Sequence, residues 1–318
     1  MHDLFYQHAL TSYNSYRHIM KLNNPEGLTL LMPAFHEQAH SLGVKISSIR
    51  PHNIGLPIVN GLYVLLDYIT GKPKAIIDSN IITQFRTAAI TAVVTKASLG
   101  DTQNHTLGII GAGVQAFSHA QALCHSLSIN ALQIFSRTPE KAYEMARKIK
   151  DLPWAPPLIK VSNSLKDAIE NVSVLCMCTS TATIQPLIKV KDLPTSIRHI
   201  NAIGGRTIDA LEIDPALYQN ANVIVESIDE AIQDSGEIRK ALADGIIDKS
   251  KISTITDLLT GSQSDAPLSI YRSVGLAIED LFLAEYIFST VTAKHKETLL
   301  PSATNIIQEE KRDNIELM

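Results

Sequence analysis

A doubly wound α/β fold joined to a second, discontinuous α+β domain is what this sequence predicts, and three observations carry the prediction. From Thr106 onward, short apolar runs alternate with segments of helical periodicity, the pattern of a parallel sheet with right-handed crossovers. The first of those runs, Leu107–Ile110, breaks into Gly111-Ala112-Gly113-Val114-Gln115-Ala116, a glycine turn that opens a helix. Before that point extended segments dominate, and near the end of the chain one long apolar helix returns to them. The division that follows is residues 1–104 with 272–318 as one domain and 105–271 as the other.

Taken in order, residues 1–16 predict a helical piece with Leu4, Phe5, His8, Ala9 and Tyr13 on one side. Four strands follow, Leu28–Met32, Val44–Ile49, Leu62–Leu66 and Ala75–Ile77. Tyr68-Ile69-Thr70-Gly71-Lys72-Pro73 is the turn between the last two. A long helix is expected from Asp78 to Ser98, and the polar run from Gly100 to Asn104 marks the boundary. Beyond it the alternation reads strand Leu107–Ile110, helix, strand Leu132–Phe135, helix Glu140–Lys150, strand Ile159–Val161, helix Leu165–Asn171 and strand Val174–Cys178. Strands Arg198–Ala202 and Val223–Val225 come next, then the apolar helix Ala277–Val291. Residues 305–318, rich in Glu, Lys and Asn, read as a frayed helix or mobile tail.

The glycine turn carries the first chemical statement. Gly111 allows the tight turn, Gly113 lets backbone approach a pyrophosphate, and Ala116 is small enough for the helix to pack on the strand. The free N–H groups at that helix start face the phosphates. Gly111, Ala112, Gly113, Val114 and Gln115 are therefore the nucleotide-binding candidates of a Rossmann-type domain. Sites that prefer NAD place Asp or Glu about 20 residues further on. Here the second strand ends in Ser136-Arg137-Thr138, followed by Lys141, with no acid at the strand end. A guanidinium fork suits a 2′-phosphate, so the expected cofactor is NADPH, with NADH as the alternative. Thr179 and Ser180, at the end of the strand Val174–Cys178, lie where such a sheet binds its ligand.

Composition narrows the classes. Lys+Arg number 28 against 32 Asp+Glu, so no basic excess points to nucleic acid. No apolar run has membrane length, and the opening Met-His-Asp-Leu-Phe-Tyr-Gln-His lacks the order of a signal peptide. Cys124, Cys176 and Cys178 show no metal-ligand spacing, and neither do the 11 histidines, so the cysteines read as core residues of a reducing cytoplasm and no metal is expected.

Four blocks resemble a known family. They are Leu31-Met32-Pro33-Ala34-Phe35 with Leu42-Gly43-Val44-Lys45; Phe85-Arg86-Thr87-Ala88-Ala89; Gly111–Ala116; and Tyr271-Arg272-Ser273-Val274-Gly275-Leu276-Ala277-Ile278-Glu279-Asp280. Together they resemble the ornithine cyclodeaminases, mu-crystallin and their bacterial imine-reductase relatives. The resemblance implies a homodimer-forming substrate domain joined to a Rossmann domain, with the site in the cleft between them. It implies that Arg17, Lys45 and Arg86 hold the carboxylate of a small imino or amino acid, that Thr87 reaches a phosphate, and that Ser273 and Gly275 lie beside nicotinamide and substrate. Unpaired buried charge is costly, so three cations from separate elements also favour an anionic ligand on physical grounds.

Two departures stand out. Ornithine cyclodeaminases carry Gly-Gly-Asp where this chain has Gly204-Gly205-Arg206, with Asp209 further on. The resembling proteins also have a further strand and helix before the region that matches Arg17, and this chain is shorter there. The expected activity is reduction of a cyclic ketimine carboxylate, Δ1-pyrroline-2-carboxylate to L-proline or Δ1-piperideine-2-carboxylate to pipecolate. Lys45 serves as anchor and proton relay, and Asp209, Glu226 or water stand as alternative acids. The other readings are ornithine cyclodeaminase, an alanine-dehydrogenase-like oxidoreductase, and a non-catalytic nucleotide-dependent binding protein.

Overall fold

Strict alternation along Ser41–Ile49 organises the first part of the fold. Ser41, Gly43, Lys45 and Ser47 are buried and the residues between them are not, so one face of this strand meets the interior. In the computed structural model, which describes residues 12–14, 17–23, 26–100, 104–205, 209–261 and 266–294, this strand is β4 of an antiparallel sheet of six strands. The others are β1 (Ser12–Asn14), β2 (His18–Asn23), β3 (Glu26–His36), β5 (Val59–Asp67) and β6 (Pro73–Asp78). Both β1 and β2 pair with β3. The strand at Ser12–Asn14 corrects the helix expected over residues 1–16. Its pairing with Ala34–His36 is long-range, and local periodicity does not report it. The remainder of that expected helix, like the tail 305–318, lies outside the described residues.

Helix α1 (Ser79–Leu99) starts where the Asp78 carboxylate accepts the Asn80 N–H at 2.7 Å. It joins the two halves. Ile82 packs with the antiparallel sheet, whereas Ile90 and Val94 pack with Ile224 and Tyr271 of the second sheet. Arg86 sits between those two contacts on the same helix.

The second sheet has eight strands in the order β13-β12-β14-β11-β10-β7-β8-β9, and every pairing is parallel. Its strands are β7 (His105–Ile110), β8 (Ile129–Phe135), β9 (Leu158–Val161), β10 (Val174–Met177), β11 (His199–Ala202), β12 (Ala221–Val225), β13 (Ile252–Thr254) and β14 (Leu268–Arg272). Helices α2 (Val114–Ser126), α3 (Pro139–Ile149) and α4 (Leu165–Ile169) follow the first three strands. Later come α5 (Ile228–Asp234), α6 (Gly236–Ala243) and α7 (Ile255–Leu259). Strand order reverses between β7 and β10, which makes their C-terminal ends the switch point of the sheet. The architecture is α/β, a doubly wound parallel sheet beside a separate antiparallel one.

β14, like β1, β2 and β13, is a strand that sequence reasoning missed. It lies between β11 and β12, deep in the sheet, yet contains Ser269 and Arg272. Both polar groups are buried because both have partners. Ser269 Oγ is 2.6 Å from His199 Nδ1, and Arg272 Nε lies 3.1 Å from a Glu237 carboxylate oxygen. The last helix among the described residues, α8 (Ala277–Lys294), with Leu276 just before it, lays Ile278, Leu281 and Phe282 against Met32, Tyr63 and Leu65 of the antiparallel sheet. Burial of each such side chain contributes about 1.5–3 kcal/mol. No helix among the described residues is long and apolar enough to cross a membrane.

Candidate active site

Lys45 points inward from β4, with its neighbours across the sheet, Met32 and Tyr63, also buried. Gly43, on the same face, has the space of a side chain taken by Tyr63: an added Cβ would lie 2.4 Å from the Tyr63 hydroxyl. Lys45 Nζ sits 2.6 Å from Asp280 Oδ2 at the start of α8 and 3.4 Å from Thr83 Oγ1 on α1. Burial lowers the ammonium to about 8; Asp280 opposes the fall, and Arg86 and Arg17 add to it.

Arg86, one turn beyond Thr83, places Nη1 2.5 Å from Glu279 Oε2 and Nε 3.1 Å from Asp280 Oδ1. Burial is opposed by Asp280 and Glu279, which together hold the guanidinium above its ordinary value. Burial, with Glu226 and Asp280 nearby, pushes the Glu279 carboxyl up to about 8 against the pull of Arg86. Arg17, at the start of β2, donates to the Val274 carbonyl and to the Gly275 carbonyl at 2.8 Å, and its Nη1 lies 3.3 Å from Asp234 Oδ2. The three expected cations therefore converge on one place. They rest on the acids Glu279, Asp280 and Asp234. Sequence reasoning quoted Glu279-Asp280 as part of a motif but gave neither a role.

Glu226 organises the loop between β14 and α8. Its carboxylate accepts from the Tyr271 hydroxyl at 2.8 Å, the Ser273 hydroxyl at 2.7 Å and the Gly275 N–H at 3.0 Å, and from the Val274 N–H. An acid so engaged is a clamp for the loop. Gly275 has φ +74°, and a Cβ there would lie 2.5 Å from Arg86 Nη1, so glycine is what lets loop and guanidinium touch. Asp209 is a surface residue, 72% exposed and paired with Arg239 at 2.9 Å, away from the cations. Arg206 lies outside the described residues.

The glycine turn adjoins this cluster through Thr83. The Gln115 side-chain amide reaches the Thr83 carbonyl at 3.4 Å, while the Thr83 hydroxyl faces Lys45. Gly111 has φ +125°, and its Cβ position lies 2.4 Å from the Cys178 carbonyl, so the ends of β7 and β10 meet there. Ala112 follows it. Gly113 caps α2 with no side-chain hydrogen bond, no atom lies within 4 Å of where its Cβ would be, and Val114 beside it is exposed. Open space over uncapped helix N–H groups is a cradle that fits a pyrophosphate.

Ser136, Arg137, Thr138 and Lys141 gather at the end of β8 and the start of α3, the last three exposed, with Ser136 Oγ accepting the Thr138 N–H at 3.2 Å. Thr179 follows β10 and is held by Glu212, which accepts its N–H at 3.0 Å and its hydroxyl at 2.6 Å; Ser180 next to it is exposed. Ser273 spends its hydroxyl on Glu226. Thr87 donates its hydroxyl to the Thr83 carbonyl at 2.7 Å, within its own helix. Behind Thr179, Glu212 also accepts the Gly204 N–H at 2.7 Å, and Arg272 bonds the Gly204 carbonyl at 2.8 Å. Burial pushes Glu212 up to about 7, against the pull of Arg272.

Comparison with known proteins finds relatives that share this fold. A Δ1-pyrroline-2-carboxylate reductase of Bacillus cereus is 32% identical over 273 residues, 83% of this chain and 82% of that protein. The ketimine reductase mu-crystallin of Mus musculus is 26% identical over 86% of this chain and 84% of its own. The structure of Thermococcus litoralis Δ1-pyrroline-2-carboxylate reductase in complex with NADH and L-proline superposes with a TM-score of 0.81 at 28% identity, covering 90% of this chain and 88% of that one. A sequence model of one family spans residues 6–295, from before Arg17 to the end of α8. With both sheets, the glycine turn and the cation cluster inside that span, the chain belongs to the ornithine cyclodeaminase/mu-crystallin family.

Proposed function

We propose that this protein reduces a small cyclic ketimine carboxylate, Δ1-pyrroline-2-carboxylate to L-proline or its six-membered homologue to pipecolate, with a nicotinamide nucleotide. The observation that carries the reading is Thr83, which touches Lys45 with its hydroxyl and Gln115 of the glycine turn with its carbonyl. It sets an anion-binding cluster directly beside a nucleotide cradle. The activities of the Bacillus and Thermococcus relatives support it.

When bound, the nucleotide supplies a hydride to the imine carbon. Gly111, Ala112, Gly113, Val114 and Gln115 hold its pyrophosphate with backbone N–H groups, Thr87 lies at a phosphate, and Thr179, Ser180 and Ser273 line the rest of the cofactor. Ser136, Arg137, Thr138 and Lys141 receive a 2′-phosphate, which favours NADPH over NADH. Arg17, Lys45 and Arg86 anchor the substrate carboxylate and orient the C=N bond; orientation of this kind supplies several kcal/mol of barrier reduction. Lys45 Nζ, brought by burial to about 8, holds the proton that the ring nitrogen takes. Asp280 favours the charged forms of Lys45 and Arg86 while no substrate is present.

We further propose that the working form is a homodimer. One face of the antiparallel sheet exposes Met20 and Leu22 on β2, Leu62 on β5 and Ile76 on β6, an apolar strip for a second copy to cover.

Incubation with NADPH and each of Δ1-pyrroline-2-carboxylate, Δ1-piperideine-2-carboxylate, ornithine and pyruvate plus ammonia tests the reading. Turnover of the cyclic imines with L-proline or pipecolate as product supports it. Ammonia release from ornithine with NAD, at the rate proline appears, overturns it in favour of cyclodeamination.

A further inference from the structure

The three residues His119, Cys176 and Cys178 lie on two elements that sequence spacing does not connect. His119 projects from α2, the helix of the glycine turn, and the two cysteines occupy alternate positions at the end of β10. Alternate residues on an extended strand face the same side. The fold brings a ring nitrogen of His119 and both Sγ atoms within 4.8 Å of one another, and the two sulfurs are 3.6 Å apart. His119 and Cys176 are fully buried, while Cys178 is half-buried.

We propose that His119, Cys176 and Cys178 form a binding site for one thiophilic divalent cation of the zinc or cadmium class, beneath the nucleotide turn. Geometry supports it in three ways. Two thiolates on a tetrahedral zinc, each at about 2.3 Å, stand about 3.8 Å apart, close to the 3.6 Å found between these sulfurs. His119 Nδ1 donates to the Gln115 carbonyl at 2.7 Å, which fixes the ring so that Nε2 carries the lone pair. That outer hydrogen bond to a backbone carbonyl is the arrangement that orients metal-binding imidazoles. Nε2 at present accepts from the Thr91 hydroxyl at 3.1 Å, and that hydroxyl is the group a cation replaces.

A disulfide is the competing use of two adjacent thiols, and the backbone disfavours it. Positions two apart on a strand separate their Cα atoms by about 6.5 Å, near the upper limit for an S–S bond. Ligation needs no such approach. Both thiols release their protons to solvent as the metal–sulfur bonds form, and no oxidant takes part. Because the Cys178 carbonyl abuts Gly111, a cation here ties β10 to the helix that begins the nucleotide cradle.

Titration of the reduced protein with Cd2+, followed by the ultraviolet thiolate-to-metal charge-transfer band, tests the site. The expected result is saturation at about one equivalent, loss of the band in Cys178→Ser, and its retention in Cys124→Ser, whose thiol lies elsewhere on α2. Should Cys178→Ser be poorly folded by circular dichroism, the unmodified protein still decides. One equivalent of Cd2+ must protect Cys178, located by peptide mass spectrometry, from alkylation, and a chelator must restore its reactivity. Absence of a saturable band, a band that survives Cys178→Ser in folded protein, or alkylation at an unchanged rate with Cd2+ present overturns the proposal.

Discussion

Asp280 bonds Lys45 and Arg86 at once, with Oδ2 2.6 Å from the lysine and Oδ1 3.1 Å from the arginine. One carboxylate at the start of the last helix thus neutralises charges from the antiparallel sheet and from α1. Asp280→Asn leaves both cations buried with one acid fewer, and breaking a buried pair costs about 3–5 kcal/mol. Chemical denaturation should show a loss of that size, with activity surviving in the folded fraction.

The same relationship sets a pH dependence. Lys45 is protonated below about 8, so kcat/KM for the imine should decline as pH rises through that value. Asp280 raises the lysine, so Asp280→Asn should move the descending limb to lower pH. Glu279 is also near 8, and Glu279→Gln separates the two. The limb stays in place if Lys45 is the titrating group and disappears if Glu279 is.

Much of the fold was legible because its buried strands are apolar and its helices periodic. β7, β8 and β10 show this, as do the long helices α1 and α8. What escaped was structure held by paired polarity or by distant contacts. Ser269 and Arg272 disguised β14 because their partners, His199, Glu212 and Glu237, come from other segments. β2 is exposed along its whole length, so it carries no alternation to read. In the site, the cations were legible from the motif blocks, but Glu279 and Asp280 stood in a motif block with no role of their own. Only the packing of α8 on α1 and β4 gives them their partners. Glu226, an open alternative for the proton donor, instead spends its carboxylate on the 271–275 loop.

Gly275 is a sensitive point. Alanine there must adopt φ near +74° and carry a methyl 2.5 Å from Arg86 Nη1. The backbone strain alone is about 1–3 kcal/mol. Gly275→Ala should lower the melting temperature and raise KM for the imine more than it raises KM for the nucleotide. Equal KM values to the unmodified protein would show that the loop and Arg86 move apart freely.

Cofactor choice rests on the end of β8, where Arg137 and Lys141 are exposed and no acid stands at Ser136-Arg137-Thr138. NADPH should bind more tightly than NADH, and Arg137→Ala should erase most of the difference. A lost charge-assisted contact is worth about 1.5–3 kcal/mol, roughly ten- to a hundredfold in affinity. Fluorescence titration of the two nucleotides measures it, and equal affinities in the unmodified protein contradict the assignment.

The proposed carboxylate anchor and the proposed proton donor coincide at Lys45, so one comparison tests both. Lys45→Met removes charge and proton at similar length, whereas Lys45→Arg keeps charge but not a proton that leaves near neutral pH. The decisive measurement is kcat/KM for Δ1-pyrroline-2-carboxylate, followed by NADPH oxidation, in the unmodified protein and in Lys45→Met. A fall of about a hundredfold or more is expected, as for loss of a positioned proton donor, with NADPH affinity unchanged and with Lys45→Arg retaining KM but losing kcat. Wild-type turnover by Lys45→Met would contradict the central role given to this lysine.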